Sequence, residues 1–262
     1  MPPEPFTLIV ESSIMPTEII TFGCRLNAYE SEIIRKKSAE AGLQEREEDV
    51  VILNTCAVTN EALRQAKQAI RKIHRQRPNS KIIVTGCAAQ IEAENFSNMP
   101  EVALVLGNNE KLQGKSYKNI PDFGASSFEK LRVNDIMEVQ NNAPHMIDSF
   151  GGKSRAFVQI QNGCDHRCTF CIIPYTRGPS RSVPMGTIVQ QIQHLVERGY
   201  YEIVLTGVDL TSYGTDLPVN SCLSTLIQAI LKQVPTLPRL RISSIDSVEV
   251  DEVFFELLAY EK

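Results

Sequence analysis

Three short apolar runs near the start of the chain each lead into a cysteine, and Cys24, Cys56 and Cys87 are spaced by 32 and then 31 residues. Between them the apolar positions take helical spacing. The alternation predicts strands over residues 18–22, 50–53, 81–85 and 102–106, and helices over 27–41, 59–76 and 88–95. Strand, helix, strand in this rhythm requires parallel strands joined by right-handed crossovers, so an open α/β sheet is expected. Each cysteine then lies just beyond the carboxyl end of a strand: after Phe22-Gly23, after Leu53-Asn54-Thr55 and after Thr85-Gly86. Those ends share one sheet edge, where open α/β folds place their ligands. Topology thereby gathers three thiols that are far apart in sequence, and Gly23 and Gly86 permit tight turns beside a bulky ligand.

Three thiolates without an obvious fourth ligand suit an iron–sulfur cluster with one open iron, or a zinc ion with an open position. Three buried core thiols are the plainer alternative. The apolar stretch at 6–10 lacks the basic residues of a secretory signal. Met15 is therefore expected to be the true start, with residues 1–14 a leader; a disordered tail is the alternative. No apolar run approaches the roughly 18 residues of a membrane span. A reducing, cytoplasmic compartment is expected, in which metal binding or catalysis outranks disulfides for the seven cysteines.

At 262 residues the chain is long enough for about two domains. With 27 basic and 31 acidic residues, its net charge of -4 excludes a globally basic, nucleic-acid-coating protein. One local exception follows Cys56. Leu63, Ala66, Ile70 and Ile73 share one helix face, while Arg64, Lys67, Arg71 and Arg75 point away, and no acid occurs from Arg64 to Lys81. Such a face is either solvated or a contact for RNA phosphates. Periodicity then fades between 114 and 152, and a linker is expected at 126–149, with His145 on its surface. The first domain is thus placed at 15–125 and the second at 150–262.

The second part opens with a strand at 155–161 and the run Cys164-Asp165-His166-Arg167-Cys168-Thr169-Phe170-Cys171. Helix 185–198, strand 202–206, helix 222–234, strand 239–243 and helix 250–260 follow. Three βα units leave an open sheet edge, so part of a longer barrel-like domain is expected. The three-cysteine loop reads either as zinc, with His166 the nearest fourth ligand, or as iron–sulfur with one free iron. Cys222 matches neither set and reads as a plain thiol.

Cys-x3-Cys-x-aromatic-Cys, with Phe170 as the aromatic, resembles the loop of the radical S-adenosylmethionine enzymes. The segments Gly23-Cys24-Arg25-Leu26-Asn27, Asn54-Thr55-Cys56 and Gly86-Cys87-Ala88-Ala89-Gln90 add a second resemblance, as do Arg177-Gly178-Pro179-Ser180-Arg181-Ser182 and Ser243-Ser244-Ile245-Asp246. With two cysteine sets in this order, the chain is similar to the methylthiotransferases of that superfamily, and in detail to those acting on N6-threonylcarbamoyladenosine-37 of tRNA. The resemblance implies an N-terminal open parallel sheet followed by the first part of a (βα)6 partial barrel. A complete barrel and a terminal β-rich RNA-binding (TRAM) domain, found in the family, are not in this sequence. It implies two [4Fe–4S] clusters, one on Cys24, Cys56 and Cys87, the other on Cys164, Cys168 and Cys171 with S-adenosylmethionine. Cleavage of that cofactor would give a 5′-deoxyadenosyl radical that takes hydrogen from adenine C2, before sulfur insertion and methylation. Gly207, Asp209, Arg241 and Ser243 fall where the family meets the cofactor. Arg64, Arg71, Arg75, Arg177 and Arg181 are candidate tRNA contacts. The implied partners are tRNA and a flavodoxin- or ferredoxin-like electron donor, with no membrane. The alternatives are isopentenyl-adenosine tRNA, a ribosomal-protein aspartate, or a non-catalytic metal- or RNA-binding module.

Overall fold

The computed structural model describes residues 17–45, 48–121, 125–126, 128–140, 145–150, 154–218 and 221–259. The expected leader at 1–14 and Met15 lie outside them. Five strands form the first sheet in sequential order: β1 (Glu18–Thr21), β2 (Val50–Thr55), β3 (Lys81–Gly86), β4 (Val102–Leu106) and β5 (Leu131–Arg132). All neighbouring pairs are parallel. The crossovers are α1 (Arg25–Glu40), α2 (Asn60–Gln76), and the split pair α3 (Cys87–Ile91) and α4 (Ala93–Ser97). The expected helix at 88–95 breaks at Glu92, whose backbone leaves helical geometry while its carboxylate pairs with Lys67.

Every residue of β2 and β3 is buried, as expected of a parallel sheet covered on both faces. Val51, Leu53, Ile82 and Val84 pack under Ile70 and Ile73 of α2. Val50, Ile52 and Ile83 face the other way, onto Ile34 of α1. Thr59 caps α2 by accepting a hydrogen bond from the Ala62 amide.

The second sheet has the order β10-β9-β6, from β6 (Arg155–Gln159), β9 (Glu202–Thr206) and β10 (Arg239–Ile242), all parallel. A short antiparallel pair, β7 (Gln161–Asn162) and β8 (Arg181–Ser182), closes the loop that carries Cys164, Cys168 and Cys171. Helix α5 (Ile173–Arg177), which the sequence did not predict, leaves that loop; α6 (Met185–Glu197), α7 (Leu223–Gln233) and α8 (Glu252–Ala259) complete the units. This is the expected α/β class: an open parallel sheet, then the first units of a partial barrel.

Two expectations change. The segment read as a linker is built into the structure. Leu131 and Arg132 form β5, and Arg132 donates to the carbonyls of Ser116, Lys118 and Asn119. A two-residue strand is too short to show a period. His145, expected on the surface, is half-buried and lines a partly open cavity of about 210 Å³ with Asn108, Gln159 and Asn162. Helix α1 also serves two cores. Its Ile34 joins the first sheet, whereas Tyr29 and Ile33 join Ile147, Phe150, Ala156 and Val158 in the second. Among the described residues, no helix is long and apolar enough to cross a membrane.

Candidate metal centres and the cleft between them

The register of the first sheet levels its carboxyl ends: Thr21 lies beside Asn54, and Thr55 beside Gly86. Cys24 caps α1, Cys56 follows β2, and Cys87 opens α3. The three thiols therefore share one edge, Cys24 exposed and the others buried. Gly86 has φ +98°, and a Cβ there would fall 2.3 Å from the Thr55 carbonyl oxygen. A Cβ on Gly23 would fall 2.8 Å from that of Cys56, so glycine lets the two turns touch. Asn27 locks them together, donating to the carbonyls of Phe22 at 2.7 Å and Thr55 at 3.0 Å. The Asn108 amide donates to Cys87 Sγ at 3.7 Å. Burial pushes the Cys56 thiol up, and Cys87 and Cys24 push it the same way. Metal loading, which takes thiolates, thus releases protons here.

The second set is held from both sides. Gly163 has φ +79°, and a Cβ on it would fall 1.8 Å from the Pro179 carbonyl oxygen. The Cys164 amide donates to Gly178 O at 3.1 Å, and the Ser180 amide to Asp165 Oδ1 at 3.0 Å. Gln161 ties this loop to the turn after β9. Its Nε2 donates to Gly163 O and Ser180 Oγ, and its Oε1 accepts from the amides of Val208 and Asp209. Asp209 consequently stands 4.0 Å from Cys164 Sγ and 3.3 Å from His166 Nε2. Burial raises the Cys164 thiol, and Asp209 adds to the rise.

Among the described residues, the group whose ligand atoms all lie within 4.8 Å is Cys164, His166 and Asp209. The two sets of three cysteines are more widely spread than that, and glycines at Gly23, Gly86 and Gly163 let the backbone turn closely beside them.

Between the sets lies a cleft of about 440 Å³. Cys24, Leu26 and Val58 line it from the first sheet, Ile173 from α5, and Gly207 and Ser243 from the ends of β9 and β10. Gly207 and Ser243, two of the residues the resemblance assigns to the cofactor, line this cleft; Asp209 lies beside Cys164 instead. Arg241 does not line the cleft: it is turned back onto Glu202, to which its Nε donates at 2.8 Å.

Two candidate tRNA contacts are overturned. Arg177 is 2% exposed and bonds to Glu30, Asn27 and Asn162. Arg181 is 4% exposed and bonds to the carbonyls of Val139, Pro179 and Arg177. Burial lowers its guanidinium to about 10. Both arginines are buried and bonded to acceptors within the protein, which takes them off the surface that a phosphate backbone would reach. Arg71 and Arg75 line an open groove on α2 with Lys72, His74 and Glu101, whereas Arg64 pairs with Glu61 at 2.7 Å. Sequence reasoning missed Glu30, Lys111, Asn108 and Gln161, which lie outside the cysteine motifs. Asn27 and Asn54 are in those motifs, and their place beside the cysteines was the available signal.

Residues 17–107 match the uncharacterized protein family UPF0004, and residues 158–242 match the radical SAM superfamily. The two matched segments follow one another along the chain, the UPF0004 match ahead of the radical SAM match. The chain is 54% identical over 96% of its length to the threonylcarbamoyladenosine tRNA methylthiotransferase MtaB of Rickettsia prowazekii (strain Madrid E), covering 57% of that protein. It is 36% identical to the MtaB of Bacillus subtilis (strain 168), over 91% of this chain and 53% of that protein. A tRNA-2-methylthio-N(6)-dimethylallyladenosine synthase of Fervidobacterium nodosum is 30% identical over 86% of this chain and 51% of its own length. The chain spans little more than half of each relative. In fold it is similar to the radical S-adenosylmethionine methyltransferase TsrM of Kitasatospora setae, with a TM-score of 0.60 and 14% identity, over 94% of this chain and 59% of that one.

Proposed function

We propose that this chain is part of a transferase that methylthiolates C2 of N6-threonylcarbamoyladenosine at position 37 of tRNA. The observation that supports this reading is one cleft lined by Cys24 of the first cysteine set, by Ile173 of α5, which follows the second set, and by Gly207 and Ser243 at the ends of β9 and β10. Cys24, Cys56 and Cys87 would hold one [4Fe–4S] cluster, and Cys164, Cys168 and Cys171 the other, together with S-adenosylmethionine. When bound, these groups supply radical cleavage of the sulfonium and the sulfur to be inserted.

The chain's own residues do the rest. Gly207 keeps the end of β9 clear, because a Cβ there would fall 2.7 Å from Leu210 Cδ2 and 3.0 Å from the Gln161 carbonyl. Gln161 and Ser212 hold Asp209 beside Cys164, aimed at the amino group of a bound amino-acid moiety. Ser243 offers its hydroxyl to a ribose. Leu26, Val58 and Ile173 give the cleft apolar walls. Deletion of the gene should remove the 2-methylthio group from threonylcarbamoyladenosine in total tRNA. Loss from the dimethylallyl derivative alone would favour the second reading, which the Fervidobacterium nodosum relative supports less strongly.

Anaerobic reconstitution of the full-length protein should give about eight irons, falling to about four when Cys164, Cys168 and Cys171 become Ala. Stoichiometric zinc without a brown chromophore would remove the case for radical chemistry. Reversing Arg71 and Arg75 to Glu should weaken tRNA binding and flatten its salt dependence, read by filter binding at several ionic strengths. Unchanged binding would make the α2 face an ordinary solvated one.

A further inference from the structure

The reading above leaves unused the most deeply buried charges in the molecule. Glu30 and Lys111 are 0% exposed and Arg177 is 2%. Arg177 donates to both Glu30 oxygens, at 2.8 and 3.1 Å, and Lys111 Nζ lies 2.7 Å from Glu30 Oε2. Lys111 has two further acceptors, Asn108 Oδ1 at 2.7 Å and Asn54 Oδ1 at 3.4 Å. The orientations of these amides are fixed. Asn108 Nδ2 donates to the Thr176 carbonyl, and Asn54 Nδ2 donates to Asn27 O and Ser31 Oγ. Three acceptors around one nitrogen require three N–H groups, so Lys111 is an ammonium. Two cations then share one carboxylate, and the network carries one net positive charge in a dry interior, where unbalanced charge is costly.

The missing negative charge lies next door. Asn108 holds Lys111 with its oxygen while its nitrogen donates to Cys87 Sγ. Arg177 lines the same cleft as Cys24. Burial works against both cations and pushes the Lys111 ammonium down; a Cys87 thiolate favours both, and that of Cys24 also favours Arg177. We propose that the buried Glu30–Lys111–Arg177 network is the counter-charge of the centre on Cys24, Cys56 and Cys87 and sets that centre's reduction potential. The inference rests on those cysteines holding a [4Fe–4S] cluster. With three thiolates, such a cluster carries about one negative charge when oxidised and one more when reduced, and a fixed positive neighbour favours the reduced form. Arg177 comes six residues after Cys171, so one half of the molecule supplies part of the other's charge balance.

The test uses the full-length protein with Cys164, Cys168 and Cys171 changed to Ala, so that iron reports the first site alone. About four irons per chain establish the cluster independently of the inference. A count near zero sinks the cluster reading and the inference with it. Redox titration followed by electron paramagnetic resonance then compares this parent with Lys111→Met and Asn108→Asp. Each lowers the network's charge by one, through unrelated changes. Both should titrate at lower potential, with the reduced-to-oxidised ratio at fixed potential falling about tenfold, or about 59 mV for one electron. Lys111→Arg keeps the charge and should titrate like the parent. Unchanged potentials in charge-altering variants that retain iron overturn the proposal. So does a Lys111→Arg potential as low as that of Lys111→Met, which would assign the shift to packing. If Lys111→Met loses its iron, Lys111→Gln carries the test, because it also removes the charge and leaves the Asn108–Cys87 bond in place.

Discussion

Glu30→Ala is expected to lower the unfolding free energy by about 3–5 kcal/mol, because it strands two buried cations without their carboxylate. Lys111 is 0% exposed and Arg177 2%, so little water reaches them to replace the lost partner. Burial alone would raise the Glu30 carboxyl, yet Arg177 and Lys111 outweigh it and hold it at about 2 instead of the usual 4.5. A depressed folded-state value contributes stability that is complete above about pH 4.5 and is lost as the pH falls towards 2. The variant should therefore unfold earlier in urea at pH 7, and its stability should fall less steeply than the parent's across that acid window. Equal midpoints at pH 7 would show that solvent reaches the network.

Gly163→Ala is the second large effect. The new methyl group would sit 1.8 Å from the Pro179 carbonyl oxygen, on a backbone with φ +79° that L side chains rarely adopt. Backbone must move, and what moves is the closure between Cys164 and Gly178. The expected result is a protein that keeps about four irons and loses the other four, as if its second cysteine set had been deleted. Gly86→Ala should have the reciprocal outcome, since its methyl would strike the Thr55 backbone. Gly186→Ala is the control: it lies inside α6 with nothing within 4 Å of the new atom, and should stabilise by about 0.5–1 kcal/mol. Eight irons in Gly163→Ala would show that the loop tolerates the shift.

The placement of the cysteines was legible because β1, β2 and β3 are long enough to show a period and each thiol follows its strand directly. The same rule found the second loop and put Gly207 and Ser243 at strand ends. Charge was harder to read. Arg177 and Arg181 look like surface arginines because composition says nothing of what a side chain meets. Their acceptors, Glu30 for one and the Val139 carbonyl for the other, are 147 and 42 residues away in sequence. Lys111 and Glu30 are single charges with no local pattern, and only the packing of the turn Glu110–Leu112 against α1 makes them partners. The two-residue β5 and the five-residue α5 fall below the length at which periodicity speaks.

Helix α1 has a mechanical consequence. One side of it is welded into the first sheet through Ile34, and the other into the second through Tyr29 and Ile33. Prising the sheets apart would expose those side chains, at about 1.5–3 kcal/mol each, and break the ion network besides. The joint between the two halves is therefore a fixed corner and not a hinge. Because Cys24 starts this helix, its thiol travels with both halves at once. Leu26 and Val58 on one wall of the cleft and Gly207 and Ser244 on the other are thereby held at a fixed spacing.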